Sequence, residues 1–517
     1  MLSMNHLSII LLLGGLVVLV HISGIGRARR LPVPPGPPGL PIIGNVFDLP
    51  RSKPWLTYQD WAMKYGKLIY MNVLGQSILV INDANAAVEL LEKRCSIYSS
   101  RPQFRMAQLT GWHWHMALLP YGKRWRDLRR VFWQYFRPDV LSKYREDQEA
   151  GAHILLRKLL ASPEKLTEHL HYSVGAAILR IVYGLDVAED KDRNIALAHK
   201  ALSGVEFHIA GSFVLEYFPI LARVPRWLPG TALLCRLDSI RQAVLQFRDE
   251  PWSYVQEMKA TDTLRRCIAW DMMEQMPGSS GEFGASLSDS TARSAAGVAY
   301  AAGIDTLYAT LQRLFVAMTL HPEVQKKAQA ELDAAVGPSR LPIFGDRSAL
   351  PYVNAIVKEC FRWNATLPLG VAHATLADDT YEGYHIPKQT TVFVNAWAIL
   401  NNPEEYPVPD NFVPDRFLRD GKPNLSIRDP ATVAFGFGRR ICPGRYFADE
   451  TMFIFVASVL HTFNISPALD DKGQSIQVRP LLTTSLTAYL EDCRCMIRPR
   501  SIQAETLIVR TADRQVE

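Results

Sequence analysis

The sequence predicts a mainly helical domain with a small β-rich lobe, preceded by one transmembrane helix. Three features predict it: an uncharged apolar run at the N-terminus, a short alternating hairpin after it, and helical patterning over most of the remaining chain. The 517 residues are 48% hydrophobic and 21% charged, enough to bury a large core. A net charge of +6 is too weak and dispersed for a nucleic-acid binder, but suits an acidic membrane face or an acidic protein partner. Seven cysteines, an odd number without repeated spacing, point away from a disulfide framework and toward a reducing compartment.

The apolar run Leu7–Ile25 has about the length that crosses a bilayer, roughly 20 residues. Arg27, Arg29 and Arg30 follow it and no Lys or Arg precedes it. That order opposes a cleaved secretory signal and places the rest of the chain in the cytoplasm. Residues 1–26 are thus expected to be an anchor, 27–50 a basic and proline-rich linker, and 51–517 the working domain. Six prolines between Leu31 and Asn45 forbid helix and predict a stiff arm holding the body at a fixed stand-off from the membrane. Gly66–Asn82 reads as a two-stranded hairpin about Gly75, and Thr390–Val394 and Thr483–Tyr489 as further strands. Cys493 and Cys495 read as small apolar residues on one face of a strand. There is no internal repeat and no low-complexity tract.

The stretch Phe435–Gly444, FGFGRRICPG, carries the chemistry. A glycine-rich hairpin delivers Cys442 to the start of an apolar helix opened by Pro443 and Gly444. Free backbone N–H groups and the helix dipole favour an anionic sulfur there, and Arg439 and Arg440 add positive charge. The glycines let the backbone lie against something broad and flat. The stretch resembles the haem-binding signature of the cytochromes P-450, with Phe435, Gly438, Arg440, Cys442 and Gly444 in the signature positions. The resemblance implies haem b with Cys442 as the axial thiolate, which pushes electron density toward the iron and favours O–O cleavage. It also implies that Arg440 pairs with a haem propionate.

Ser288–Leu320 reads as one helix, capped by Ser288 or Asp289 and ended at His321-Pro322, about 48 Å long at ~1.5 Å per residue. Its middle, AAGIDT, is small enough for a flat ligand to approach, and Gly303 with a threonine hydroxyl can open a local bulge. Ala302, Gly303, Asp305 and Thr306 resemble the family's oxygen-activation motif. The resemblance implies that Thr306 hydrogen-bonds dioxygen or a water and that Asp305 relays protons. Leu307 stands where many relatives have a second hydroxyl, which alters the detail of the water chain. Glu359 and Arg362 share a helix face. They resemble the family's E-x-x-R and, with Arg416 of PDRF, imply a buried structural network behind the haem. Asp415 replaces a more usual Glu. Trp125 and Arg129 resemble the W-x-x-x-R helix, and with His373 they are the further propionate contacts that the family implies.

The resemblance covers residues 31–500 and is strongest to fungal (basidiomycete) microsomal members. It implies a cytochrome P-450 fold and a monooxygenase that inserts one oxygen atom from O2 into a small lipophilic substrate, a terpenoid first and a polyaromatic xenobiotic second. The chain has no flavin or dinucleotide fingerprint, so electrons from NADPH are expected through a separate reductase on the same membrane, the endoplasmic reticulum. A haem-thiolate isomerase or dehydratase that dispenses with O2 is the rival enzyme reading, and a non-enzymatic haem-binding scaffold the rival outside catalysis. Substrate contacts are expected from Trp112–Trp114, Phe207–Phe218, Ala299, Ala302, Leu369–Val371 and Thr483–Leu486.

Overall fold

A computed structural model describes residues 31–187, 192–208, 213–261, 265–276 and 287–512. The expected anchor, Leu7–Ile25, lies outside them, as does much of the segment 261–290, for which the sequence gives no reading. Among the described residues no helix is long and apolar enough to cross a membrane. All seven cysteines are free.

The elements that shape the site run in chain order. Helix α1 (Pro54–Tyr65) leads to strands β1 (Leu68–Val73) and β2 (Gln76–Ile81). Helices follow: α2 (Lys123–Phe136), α3 (Arg145–Ala161), α4 (Leu166–Tyr183), α5 (Arg193–Leu202), α6 (Ala232–Ala260), α7 (Asp289–Leu320), α8 (Pro322–Ala335) and α9 (Pro351–Arg362). The chain then gives β3 (His373–Ala374), β4 (Thr391–Val394), α10 (Arg445–Thr462), β5 (Phe463–Pro467) and β6 (Cys495–Pro499).

The β-rich lobe is a four-stranded sheet ordered β1-β2-β4-β3. The hairpin β1–β2 closes on Leu74-Gly75, both at positive φ, with Val73 opposite Gln76. β2 then pairs in parallel with β4, Ile78 opposite Thr391, so the first strands are completed by a segment from late in the chain. Helix α7 is buried on almost every side and packs against α4, α2, α6 and α10, which is why its sequence shows no polar stripe. Ser288 caps it, its side chain accepting from the Thr291 N–H at 3.3 Å.

Two expectations need correction. The proline segment is not a stand-off arm, at least from Pro32 onward. Proline lacks an N–H but keeps its carbonyl, and those carbonyls tie it to the body. His385 N–H donates to Pro32 O at 2.7 Å and Tyr70 N–H to Pro35 O at 2.9 Å. Gly36 lies so close to β1 that an added Cβ would stand 1.9 Å from the Tyr70 carbonyl oxygen. Thr483–Tyr489 is not a strand either. It is a bend closed by a single bridge between Leu482 and Leu490. The bridge carries two backbone bonds, Thr483 N–H to Tyr489 O at 2.8 Å and Glu491 N–H to Leu481 O at 2.9 Å. Within the bend the Thr483 hydroxyl accepts from Tyr489 N–H at 3.0 Å and the Ser485 hydroxyl donates to Thr487 O, so the ladder goes no further.

Candidate functional site

Helix α7, the loop before α10, the segment following α9 and the Leu486–Thr487 bend enclose one apolar cavity of ≈ 340 Å³. Cys442, Phe435, Gly444, Asp305, Thr306, Trp125, Arg129, His373 and Arg440 all line it, so the structure gathers residues scattered over most of the chain. Gly438 is the signature residue that stands outside.

Cys442 hangs from a tight hairpin in which its own N–H donates to Phe435 O at 2.8 Å. Gly444 is the N-cap of α10, and its N–H turns back onto the thiol. Burial pushes the Cys442 thiol up, while the Gly444 N–H and the charges of Arg129 and Arg445 pull it down. The neighbouring cations are therefore not those the sequence suggested. Arg439 donates to the Tyr121 hydroxyl at 3.1 Å, and Arg440 turns away to Ser99 O at 2.7 Å and Leu119 O at 2.9 Å.

The signature glycines also serve a different need from a flat surface. Gly438 sits at φ 53°, and a Cβ there would stand 2.1 Å from the backbone oxygen of Leu91. It lets the hairpin dock on the segment Glu89–Lys93. At Gly444 a Cβ would meet Cys442 Sγ at 4.0 Å, an ordinary contact. Gly438→Ala is therefore expected to lose about 2–5 kcal/mol from left-handed strain plus overpacking. Gly444→Ala should lose much less. Urea unfolding of the two variants checks the order.

The cavity wall near Trp125 holds a cationic cluster. Arg440 lies over the Trp125 ring at 4.3 Å, and its Nη1 is buried with no hydrogen-bond partner among the described residues. Arg101 donates to Ala117 O, Val371 O and Ala372 O, and Arg129 Nη1 to Ile441 O at 2.6 Å. Burial, with the charges of neighbouring cations, pushes Arg440 down to about 9 and holds Arg101 and His373 well below their ordinary ranges. His373 Nδ1 donates to Tyr98 O at 2.8 Å, so a neutral ring offers the cavity only a lone pair at Nε2. A carboxylate placed there would favour the protonated ring, which takes its proton from solvent and donates Nε2–H to the anion. Cations gathered in an apolar cavity, one with an orphaned buried N–H, fit a flat group carrying carboxylates, and the haem that the sequence implies is such a group. Arg101 escaped the sequence reading because its Ser-Arg-Pro setting carries no helical or motif spacing.

On α7, the Thr306 hydroxyl donates to Ala302 O at 2.7 Å and the helix continues without the expected bulge. Gly303 makes room for Ile178 of α4, whose Cδ1 would stand 2.6 Å from a Cβ. Asp305 is buried; its carboxylate accepts from the Tyr489 and Thr487 hydroxyls, and burial pushes it up against both donors. Thr310 donates to Thr306 O at 2.7 Å and meets the Thr366 hydroxyl at 3.1 Å.

Below the site, Glu359 and Arg362 are 0% exposed and pair through two bonds of 2.7 and 2.8 Å. Arg416 Nε reaches Glu359 at 3.3 Å, Val413 N–H adds a bond at 2.8 Å, and Arg362 also donates to Leu400 O and Asn411 O. Asp415 faces outward to Lys327 and the Tyr352 hydroxyl. Of the expected substrate contacts, Trp112, Ala299, Ala302, Leu369–Val371 and Leu486 line the cavity. Trp114 is buried against Gly297 instead, and Phe218 is 53% exposed. The side chains of 206–214 lie outside the described residues.

A family model described as Cytochrome P450 matches residues 34–491. The chain is 40% identical over 507 residues to the cytochrome P450 monooxygenase COX2 of Coprinopsis cinerea, covering 96% of this chain and 95% of that one. It is 38% identical to cytochrome P450 monooxygenase ple1 of Rhodocybe pseudopiperita, covering 93% and 92%. It is 36% identical to tryptamine 4-monooxygenase of Psilocybe cyanescens, covering 93% and 96%.

Proposed function

This chain belongs to the cytochrome P450 family, oxidoreductases of the monooxygenase class, and from that premise we propose that it inserts one atom of O2 into a neutral, lipophilic small molecule held in the α7 cavity. The observation that carries the substrate class is the cavity wall. Its lining is mostly apolar, and its one carboxylate among the described residues, Asp305, is already paired with two hydroxyls. A cationic amine, the kind of substrate named for the Psilocybe relative, would find no free counter-charge there. A terpenoid or a polyaromatic molecule meets no such penalty.

Haem would bring the oxygen-activating chemistry. Cys442 would supply the thiolate that holds it, Phe435 and Gly444 would pack beside it, and Gly438 would hold the hairpin in place. Arg440, Arg129, Trp125, Arg101 and a protonated His373 would receive its propionates. Thr306 would leave Ala302 O to hydrogen-bond dioxygen or a water, and Asp305 would hold the proton to be delivered. Glu359, Arg362 and Arg416 would act only as scaffold. Electrons from NADPH would arrive through a separate flavoprotein reductase. Its docking face would be the depression of ≈ 370 Å³ lined by Arg126, Arg129, Arg130, Trp133 and Arg445, which reaches Ile441 beside the thiol. Residues 1–26 would anchor the catalytic body to the endoplasmic reticulum membrane as a single pass with the body in the cytoplasm, the link between the two ending at Pro32, where the chain is already bonded to the body.

The test is incubation of the holoprotein with a reductase, NADPH, ¹⁸O-labelled dioxygen and a panel of terpenes and polyaromatics. One labelled oxygen per product molecule is expected. Turnover that needs neither NADPH nor O2 would favour the isomerase or dehydratase reading, which retention of Asp305 and Thr306 disfavours. Product formed per NADPH by Thr306→Ala should fall by about 100-fold, the lower range for a lost proton-transfer group. Its haem spectrum should stay intact.

A further inference from the structure

Asp305 has an unusual setting for a buried acid. No lysine or arginine pairs with it among the described residues; its donors are the hydroxyls of Tyr489 and Thr487. The titratable groups around this position are Tyr308 on α7, Tyr489 on the bend, His171 on α4 and His199 on α5, with His199 the one cation-forming group that acts on the carboxylate through space. Thr487 lines the cavity but Tyr489 does not, so Tyr489 lies behind the acid and away from any bound substrate.

The bend that carries Tyr489 is pinned on both sides. Ala488 N–H donates to Thr366 O at 2.8 Å, and Ala488 O accepts from Arg313 Nη2 at 2.9 Å. Arg313 is fully buried on α7, two turns beyond Asp305, and spends its other donors on Ala309 O and Asn364 O. Leu490 N–H donates to Gln312 Oε1 at 3.3 Å, and Gln312 Nε2 donates to the Tyr308 hydroxyl at 2.7 Å. The Tyr489 ring rests on Tyr308 at 5.6 Å, and Tyr308 stacks on His171 at 3.5 Å. A buried guanidinium fixed only to carbonyls, and an amide bonded at both ends, thus fix one phenol against one carboxyl.

We propose that Tyr489 is a positioning residue for oxygen activation, its hydroxyl holding the Asp305 carboxyl in its resting orientation and setting how readily that carboxyl gives up a proton. This rests on the monooxygenase reading given above. Its physical basis is that a phenol donating to a carboxylate favours the charged form, whereas burial opposes it. Without the phenol the acid keeps its proton to higher pH, and its carboxyl is held by the Thr487 hydroxyl alone.

The test uses the full-length holoprotein at rest. The infrared C=O band of protonated Asp305, identified by its absence in Asp305→Asn, is titrated with pH. In Tyr489→Phe its midpoint should rise by about one pH unit. Replacing Tyr489 by 3-fluorotyrosine, a stronger donor of the same shape, should lower it. The pH profile of product per NADPH should move with the infrared midpoint in both variants. An unmoved midpoint in both would overturn the proposal. So would a midpoint that moves while the coupling profile stays fixed. If Tyr489→Phe does not fold, the fluorotyrosine protein alone decides, no shift being the adverse result. The carbon monoxide spectrum of the reduced wild-type protein is read separately: loss of the sulfur-ligated signature there would sink the monooxygenase reading itself, whatever the infrared titration gives.

Discussion

Cys442→Ser is expected to abolish the red-shifted Soret band of the reduced, carbon monoxide-treated protein and to bring turnover below detection. The substitution exchanges one γ atom in a hairpin whose backbone bond, Cys442 N–H to Phe435 O, is untouched. The fold should therefore survive with a change of about 1 kcal/mol or less in urea unfolding. What is lost is the soft, polarisable anion that an alcohol cannot replace at neutral pH. Arg129 and Arg445, which favour a negative charge at the thiol, would then face a neutral hydroxyl. A variant keeping the sulfur-type spectrum would mean that another residue ligates the iron, and the assignment of Cys442 would fall.

The second large effect concerns stability. Glu359→Gln should cost about 3–5 kcal/mol, because it leaves the guanidinium of Arg362, 0% exposed, buried beside a neutral amide. The amide keeps one oxygen for Val413 N–H and Arg416, but its NH2 replaces the oxygen that accepts from Arg362 Nε and faces that cation with a second donor. The double replacement Glu359→Leu with Arg362→Met should recover much of that loss, since a buried pair exchanged for apolar residues of similar size is often near neutral. Chemical unfolding of the three proteins separates the cases. A double variant less stable than Glu359→Gln would show that the bonds of Arg362 to Leu400 O and Asn411 O matter more than the pair.

How far the sequence foretold this site depended on whether a role was local or assembled by the fold. Ser288 as the cap of α7 and the hairpin at Gly75 were legible, because capping and turn chemistry act over a few residues. The spacing around Cys442, Thr306 and Glu359 was legible through family resemblance; the fold brings Cys442 and Thr306 to one cavity and buries Glu359 outside it. Why Gly438 is glycine was not legible, since the reason is the Leu91 carbonyl, far away in the chain. Arg101, Arg313 and Tyr489 were silent for the same cause: each matters through a carbonyl or carboxyl contributed by a remote segment. The proline segment and Thr483–Tyr489 were misread because composition shows which conformations a segment can adopt, and not which neighbours will claim its polar groups.

The parallel pairing of β2 with β4 bears on how the protein is made. Ile81 and Thr391 are 310 residues apart, so at ~5–20 residues per second the ribosome needs roughly 15–60 s between delivering the first strands and delivering the one that completes their sheet. Throughout that interval the nascent hairpin presents an open edge of apolar β-branched residues, Ile78, Val80 and Ile81 among them. Cotranslational chaperoning of the first hundred residues, and slow codons placed near position 390, are thus levers on the yield of folded protein.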